Sequence, residues 1–155
     1  MAKNRTSLLG LYRALITTTK VLGYKYSLMP GENGVHRGFP NQEKKIMVGR
    51  ELDLIGKIVI LSHELGHALD IQLKPFSMAE TLSAIIDWER YITGKRYYAR
   101  ERRAWELGKT LLKNMGRYED VSKHFNVLRK KSLRAYKNNL STPLKTNEIA
   151  NHGAQ

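Results

Sequence analysis

Two histidines and a glutamate lie close together in the apolar stretch IVILSHELGHALD, which covers residues 58–70. His63, Glu64 and His67 form the pattern H-E-x-x-H. In an α-helix, His63 and His67 share one face, because residues four apart have Cβ atoms about 5–6 Å apart. Both imidazoles can then bind one zinc ion, and Glu64 can take a proton from a water held by that zinc. The spacing therefore predicts zinc-dependent hydrolysis.

The alternative is a buried helix that carries two histidines for structural reasons, since a bare H-E-x-x-H pattern also occurs by chance. The flanking letters IVIL and ALD indicate burial. Burying two histidines and a carboxylate without a shared purpose costs free energy. Gly66 lowers helix stability by about 1 kcal/mol relative to alanine, which indicates that another backbone approaches there. We therefore favour a Zn²⁺ site.

A catalytic zinc site usually has three protein ligands, so a third residue must come from elsewhere in the chain. The candidates are Glu80, Asp87, Glu89, Glu101, Glu106 and His124. Glu101 is the best of these because it shares a helical face with small and apolar residues. That face consists of Ala104, Trp105, Gly108 and Leu112. Close packing of Gly108 against Gly66 would bring Glu101 to the metal.

Two further residues are expected around the zinc site. Asp70 shares the helical face of both histidines and is expected to orient one of them, with a capping or surface role as the alternative. Tyr98 lies three residues before Glu101 and is expected to donate a hydrogen bond to the reaction's oxyanion, although packing is the commoner role there. Trp88 and Trp105 are expected in the core.

Hydrophobic periodicity predicts a mostly helical α+β protein with about five helices. We expect the helices at residues 7–22, 54–73, 77–92, 96–114 and 119–138. Asp53 is the expected N-cap of the second helix, and Ser77 and Glu80 form a predicted capping box at the third. Between the first two helices, the runs YKYSLM and KKIMVGR predict a small antiparallel sheet beside the H-E-x-x-H helix. Its strand near residues 46–48 would border the cleft.

Composition limits the location of the protein. The chain contains no cysteine, which excludes disulfides and thiolate ligands and fits a reducing cytoplasm. The N-terminus lacks a signal-peptide pattern, and no apolar run is long enough to cross a bilayer. We therefore expect a cytoplasmic protein that does not interact with membranes.

The formal net charge is +13, from 27 basic and 14 acidic residues. This charge predicts attraction to nucleic acid or to an acidic protein, with a solvated basic surface as the alternative. The sequence contains none of the known nucleic-acid-binding motifs. Charge alone does not distinguish these partners.

The segment LSHELGHALD, followed about thirty residues later by ERRAWELGKTLL, resembles the ImmA/IrrE-type metallopeptidases, which are small zinc enzymes of the gluzincin type. The resemblance covers roughly residues 46–112. It implies a minimal zincin-like fold with a three-stranded sheet beside the H-E-x-x-H helix, and Glu101 as third zinc ligand. It also implies cleavage of regulatory proteins, such as repressors of mobile elements. We expect one such domain at residues 1–137 and a polar, flexible tail at residues 138–155.

The leading prediction is a zinc metallopeptidase that cleaves an intracellular protein, with Glu64 as general base. One alternative is a SprT-like protease that acts on nucleic-acid-bound proteins, a class with a third histidine that only His124 could supply. Another is a non-catalytic, zinc-stabilised interaction protein, which would act in the host cytoplasm if a phage encodes it. Glu64 favours an enzyme, because a binding module has no use for a general base.

Overall fold

The computed structural model describes residues 2–38 and 42–141, with side chains for residues 8–38 and 42–140. Its elements are α1 (Ala2–Val21), β1 (Lys25–Met29), β2 (Gly34–Arg37), β3 (Lys45–Gly49), α2 (Leu54–Leu73), α3 (Met78–Ile86), α4 (Trp88–Ile92), α5 (Lys95–Asn114) and α6 (Ser122–Ser141). A 3₁₀ turn at Tyr118–Asp120 precedes α6. The predicted class, a mostly helical α+β protein with a small sheet, is confirmed.

The sheet has three strands in the order β1–β3–β2. β2 runs antiparallel to β3, with Val35 opposite Met47. β1 runs parallel to β3, with Ser27 opposite Met47. The prediction of an antiparallel sheet is therefore wrong for β1. The reason is topological, because β3 enters between the two strands that precede it in the chain.

The central position of β3 follows from its side chains. Ile46 and Val48 are completely buried, as expected for a strand with a neighbour on each side. β2 carries Gly34 and His36 and lies at the edge of the sheet. The strand that borders the cleft is thus β2, and the prediction that placed residues 46–48 there is wrong.

α2 lies at the centre of the molecule and packs against α1, α5, α6, β2 and β3. Asp53 caps it as predicted, since its Oδ1 accepts a hydrogen bond from the Gly56 amide at 2.7 Å. Its apolar residues Ile58, Leu61 and Leu65 are fully buried. Burial of each such side chain contributes about 2 kcal/mol, so the H-E-x-x-H helix is anchored by the core itself.

The predicted helix at residues 77–92 is divided into α3 and α4 at Asp87, whose backbone is not helical. The Asp87 carboxylate accepts a hydrogen bond from the Arg90 amide at 3.1 Å and so caps α4. At the start of α3, Ser77 Oγ accepts from the Glu80 amide at 3.1 Å. The reciprocal half of the capping box is replaced, because the Glu80 carboxylate binds Arg100 instead.

The last helix has the predicted length but lies three residues later in the chain than predicted. α6 continues to Ser141, so the expected boundary between residues 137 and 138 falls inside it. The rest of the predicted tail, residues 142–155, lies outside the described residues. In the part of the chain that the structure describes, no helix is sufficiently long and apolar to cross a membrane.

Candidate metal centre

Two glycines allow α2 and α5 to pack with their backbones in contact. A Cβ atom at Gly66 would overlap the carbonyl group of Ala104, and one at Gly108 would lie 2.5 Å from the carbonyl oxygen of Ser62. The predicted close approach is therefore present, although Gly66 lies opposite Ala104 rather than Gly108. These two pairs show that the helices run in opposite directions. Glu101 lies one turn before Ala104 in α5, and this position brings it beside the histidines of α2.

Glu101 contacts both histidines of the H-E-x-x-H motif. Its Oε1 lies 3.0 Å from His67 Nε2, and its Oε2 lies 3.3 Å from His63 Nε2. One ligand atom from each of the three residues lies within 4.8 Å of the other two. Two imidazoles and a carboxylate form a donor set that is found in catalytic zinc sites. The three residues predicted as ligands are thus brought together by the packing of α2 on α5.

Two buried polar atoms in this cluster lack hydrogen bonds to any described residue. They are Nδ1 of His63 and Oε2 of Glu101. The Nε2 atom of His63 lies at ion-pair distance from this Oε2, but the two atoms do not have hydrogen-bond geometry. A buried carboxylate oxygen without a donor is unfavourable, and the Glu101 residue is only 2% exposed. A cation between this oxygen and the two Nε2 atoms would satisfy it. The donor set therefore fits Zn²⁺.

The charges of the cluster reinforce one another. Burial acts to raise the pKa of Glu101, but the neighbouring His67 and His63 outweigh it and hold that pKa well below its usual value. Burial acts to lower the pKa of His67, and the Glu101 carboxylate outweighs it and raises that pKa. The site thus stabilises a carboxylate beside positive charge. A bound metal ion would supply this charge in place of protons on the histidines.

Glu64 lies next to the cluster and faces the sheet. Its side chain is close to β2, where a Cβ atom at Gly34 would lie 2.5 Å from Glu64 Oε1. The residue is 6% exposed. Burial raises the pKa of the Glu64 carboxyl above its usual value, although His63 and His67 act in the opposite direction. A raised pKa makes the carboxylate a better proton acceptor near neutral pH.

A cavity of about 710 Å³ lies over the cluster, and His63, Glu64, His67 and Glu101 all line it. This volume is in the range of ligand-binding clefts. β2 contributes one wall and α6 another. Trp88, which was predicted in the core, is 43% exposed and lines the cavity instead. Trp105 is buried as predicted.

His36 on β2 is a cavity residue that the sequence did not reveal. Its ring stacks on His67, with centroids 5.7 Å apart and planes inclined by 21°. Its Nε2 lies 3.1 Å from the hydroxyl of Tyr24. Burial, followed by the charges of His67 and His63, lowers the pKa of His36 to about 3. No motif marks this residue, because it approaches α2 only through the order of the strands.

Asp70 is buried one turn beyond His67, but its partners are arginines. Oδ2 accepts a hydrogen bond from Arg100 Nη1 at 2.7 Å, and Oδ1 accepts one from Arg103 Nε at 2.6 Å. These contacts replace the predicted contact with a ligand histidine. The sequence missed them because both arginines belong to α5, and the face of α2 alone does not identify the partner.

The tyrosines that line the cavity are Tyr97 and Tyr136, whereas Tyr98 is half-buried and does not line it. The rings of Tyr97 and Tyr136 pack against each other with centroids 5.6 Å apart, and both side chains lie near the Glu101 carboxylate. Burial, followed by the negative charge of Glu101, raises the pKa of both cavity tyrosines, which keeps them protonated as donors. The position of Tyr98 does not agree with the predicted contact to an oxyanion. Positions three and four residues before Glu101 share its face, and packing selects Tyr97.

The other candidate ligands lie away from the cluster. Glu80 is bound by Arg100, and Glu106 pairs with Arg129. Asp87 caps α4, and Glu89 and His124 are exposed. None of these five candidates lines the cavity, which leaves Glu101 as the residue that joins the two histidines.

Comparison with protein-family models, with curated proteins and with solved structures finds no significant match to this chain. The resemblance to the ImmA/IrrE-type metallopeptidases therefore rests on the motif residues alone and stays a prediction.

Proposed function

We propose that this chain is a zinc-dependent metallopeptidase. The observation that carries the proposal is the convergence of His63, His67 and Glu101 in a cavity that also contains Glu64. The three convergent residues would hold the metal. Zinc, when bound, supplies a Lewis acid that polarises a carbonyl group and lowers the pKa of a water molecule.

Glu64 would act as the general base. It follows a ligand histidine directly, lines the cavity and has a raised pKa because it is buried. Its carboxylate accepts a proton from the attacking water and can return it to the nitrogen of the leaving amine. A helix with a structural role gains nothing from this buried carboxylate, so Glu64 supports an enzyme.

The position of β2 supports a polypeptide substrate. As an edge strand, β2 can pair its outer backbone groups with an extended chain. The cavity is lined by Gly34, Val35 and His36, so a chain along β2 would lie over the cluster of candidate metal ligands. The hydroxyl groups of Tyr97 and Tyr136 are the nearby donors for the carbonyl oxygen of the scissile bond.

Two other functions are less well supported. A SprT-like protease requires a third histidine, but His124 is exposed outside the cavity and Glu101 lies at the cluster instead. A non-catalytic zinc-stabilised module would need the same three ligands but not Glu64.

In agreement with the resemblance, we propose an intracellular regulatory protein as substrate and the cytoplasm as location.

The test compares the wild type with Glu64→Gln, both loaded with zinc. Glu64→Gln preserves size and hydrogen bonding but removes the basicity, so it should retain zinc while peptide hydrolysis falls by roughly 10²–10⁴-fold. Glu106→Gln, an exposed change outside the cavity, is the matched control and should retain both properties. Equal hydrolysis by Glu64→Gln would assign the base to another group. If the zinc-loaded wild type hydrolyses nothing in a broad peptide library, the proposal that the protein is a peptidase is wrong.

A further inference from the structure

A second concavity lies beside the cavity on the surface of α6. This groove has a volume of about 490 Å³ and is lined by Val127, Lys130, Lys131, Arg134, Ala135 and Asn138. Lys131 and Ala135 also line the cavity over the cluster of candidate metal ligands. A polypeptide that leaves the cavity over Lys131 would reach the groove.

The groove carries positive charge that the described part of the protein does not neutralise. α6 contains no aspartate or glutamate. Lys130, Lys131 and Arg134 are exposed, and none of them forms an ion pair with another described residue. By contrast, Arg129 on the same helix pairs with Glu106 at 2.5 Å. Like charges four residues apart repel each other, so Lys130 and Arg134 would gain from an acidic partner.

We propose that this groove is a substrate subsite that selects acidic side chains on one side of the scissile bond. The proposal rests on the peptidase function argued above. Carboxylates of the substrate would pair with Lys131 and Arg134, as charge-assisted hydrogen bonds favour. The β2 side of the cavity carries Glu32, so its two walls differ in charge. This difference favours one direction of the bound chain.

Nucleic acid is the other common partner of a basic surface. The observations favour a polypeptide because the basic groove shares Lys131 and Ala135 with the cavity that contains His63, His67 and Glu101.

The experiment measures cleavage of a peptide library derived from a proteome, with the full-length, zinc-loaded protein. The wild type should cleave bonds with aspartate and glutamate enriched on one side. The charge reversal Lys131→Glu/Arg134→Glu should abolish that enrichment and lower kcat/KM for an acidic peptide at least tenfold, while peptides with lysine there improve. The control Lys20→Glu/Lys123→Glu makes the same charge change at exposed positions outside the groove and should behave as wild type.

The outcomes separate this proposal from the proposed function. Cleavage without acidic enrichment would overturn the subsite and leave the peptidase intact. Absence of any cleavage would instead contradict the peptidase, and binding of a fluorescent acidic peptide to Glu64→Gln then tests the groove directly. Binding that the charge reversal removes supports the groove, whereas no binding overturns it. If duplex DNA binds more tightly than the peptide, and the charge-reversal variant loses this binding, the partner of the groove is nucleic acid and not a polypeptide.

Discussion

The indole ring of Trp105 stacks on the imidazole of His63, with ring centroids 4.0 Å apart and planes inclined by 19°. A ligand histidine usually donates its second N–H to a carboxylate or a carbonyl oxygen. Nδ1 of His63, however, has no hydrogen-bond partner among the described residues. We therefore expect the stacked indole to hold this ring in position.

Removal of the aromatic face at Trp105 should weaken zinc binding. We expect Trp105→Leu to raise the zinc dissociation constant by roughly 10-fold or more, because groups that orient a ligand commonly contribute on that scale. Trp105→Phe retains a ring and should lose less. Competition with a fluorescent chelator measures the affinity, and thermal unfolding of the metal-free variants monitors the loss of packing. Equal zinc affinity in both variants would rule out positioning by stacking.

The purified protein should bind one zinc ion per chain through the residues that converge in the structure. Elemental analysis should detect zinc in the wild type and its loss in His63→Ala and Glu101→Gln, because each change removes one donor. Glu106→Gln serves as the control, since Glu106 pairs with Arg129 away from the cavity. Retention of zinc by Glu101→Gln would exclude that carboxylate as a ligand.

Alanine at Gly66 should destabilise the protein although alanine favours helices by about 1 kcal/mol. The new Cβ atom would overlap the carbonyl group of Ala104 and force α5 away from α2. Overpacking of this kind costs about 1–3 kcal/mol of the free energy of unfolding. Zinc affinity should also fall, because Glu101 moves with α5.

The matched control is Gly10→Ala in α1, where no atom lies within 4 Å of the added Cβ. This change should stabilise the protein by about 0.5–1 kcal/mol in urea unfolding. If both alanine variants stabilise the protein to the same extent, close contact between α2 and α5 is not required.

The buried pair of Arg100 and Glu80 should make stability depend on pH. Burial acts to raise the pKa of Glu80, but hydrogen bonds from Arg100 and Tyr91 outweigh it and hold that pKa below the usual 4.5. A depressed carboxyl pKa adds stability above pH 4.5, and this contribution is lost as the pH falls through the folded-state pKa. Glu80→Gln should therefore unfold more easily than wild type at neutral pH, and the difference should shrink in acid.

Urea unfolding at a series of pH values measures this effect. Glu106→Gln provides the control, because Glu106 is exposed and its partner Arg129 is partly exposed. Exposed pairs contribute little to stability, so this variant should follow the wild type at every pH. A pH-independent difference between Glu80→Gln and wild type would show that the charge of Glu80 does not stabilise the fold.

The convergence of His63, His67 and Glu101 could be predicted from the sequence because it depends on helical spacing. His63 and His67 share a face in any α-helix, whatever packs against it. Gly66 identifies a turn of α2 that another backbone approaches, and Gly108 identifies α5 as that neighbour, although the two glycines do not face each other. Glu101 is the carboxylate on the small-residue face of that second helix. These patterns are local, and the core burial of α2 maintains them.

The surroundings of the cluster were decided by tertiary structure. Spacing allowed both Tyr97 and Tyr98 to approach Glu101, and ring contacts with α4 and α6 accompany the placement of Tyr97 at the cavity. Spacing also placed Asp70 on the face of the histidines, but the arginines of α5 provide its partners.

The strand order likewise lies beyond local pattern. The short strand β2 contains a glycine and a histidine and has little strand character of its own. It borders the cavity because the more apolar β3 takes the centre of the sheet, where both of its edges are paired. Residues within one element follow from periodicity, whereas contacts between elements depend on which surfaces bury the most apolar area together.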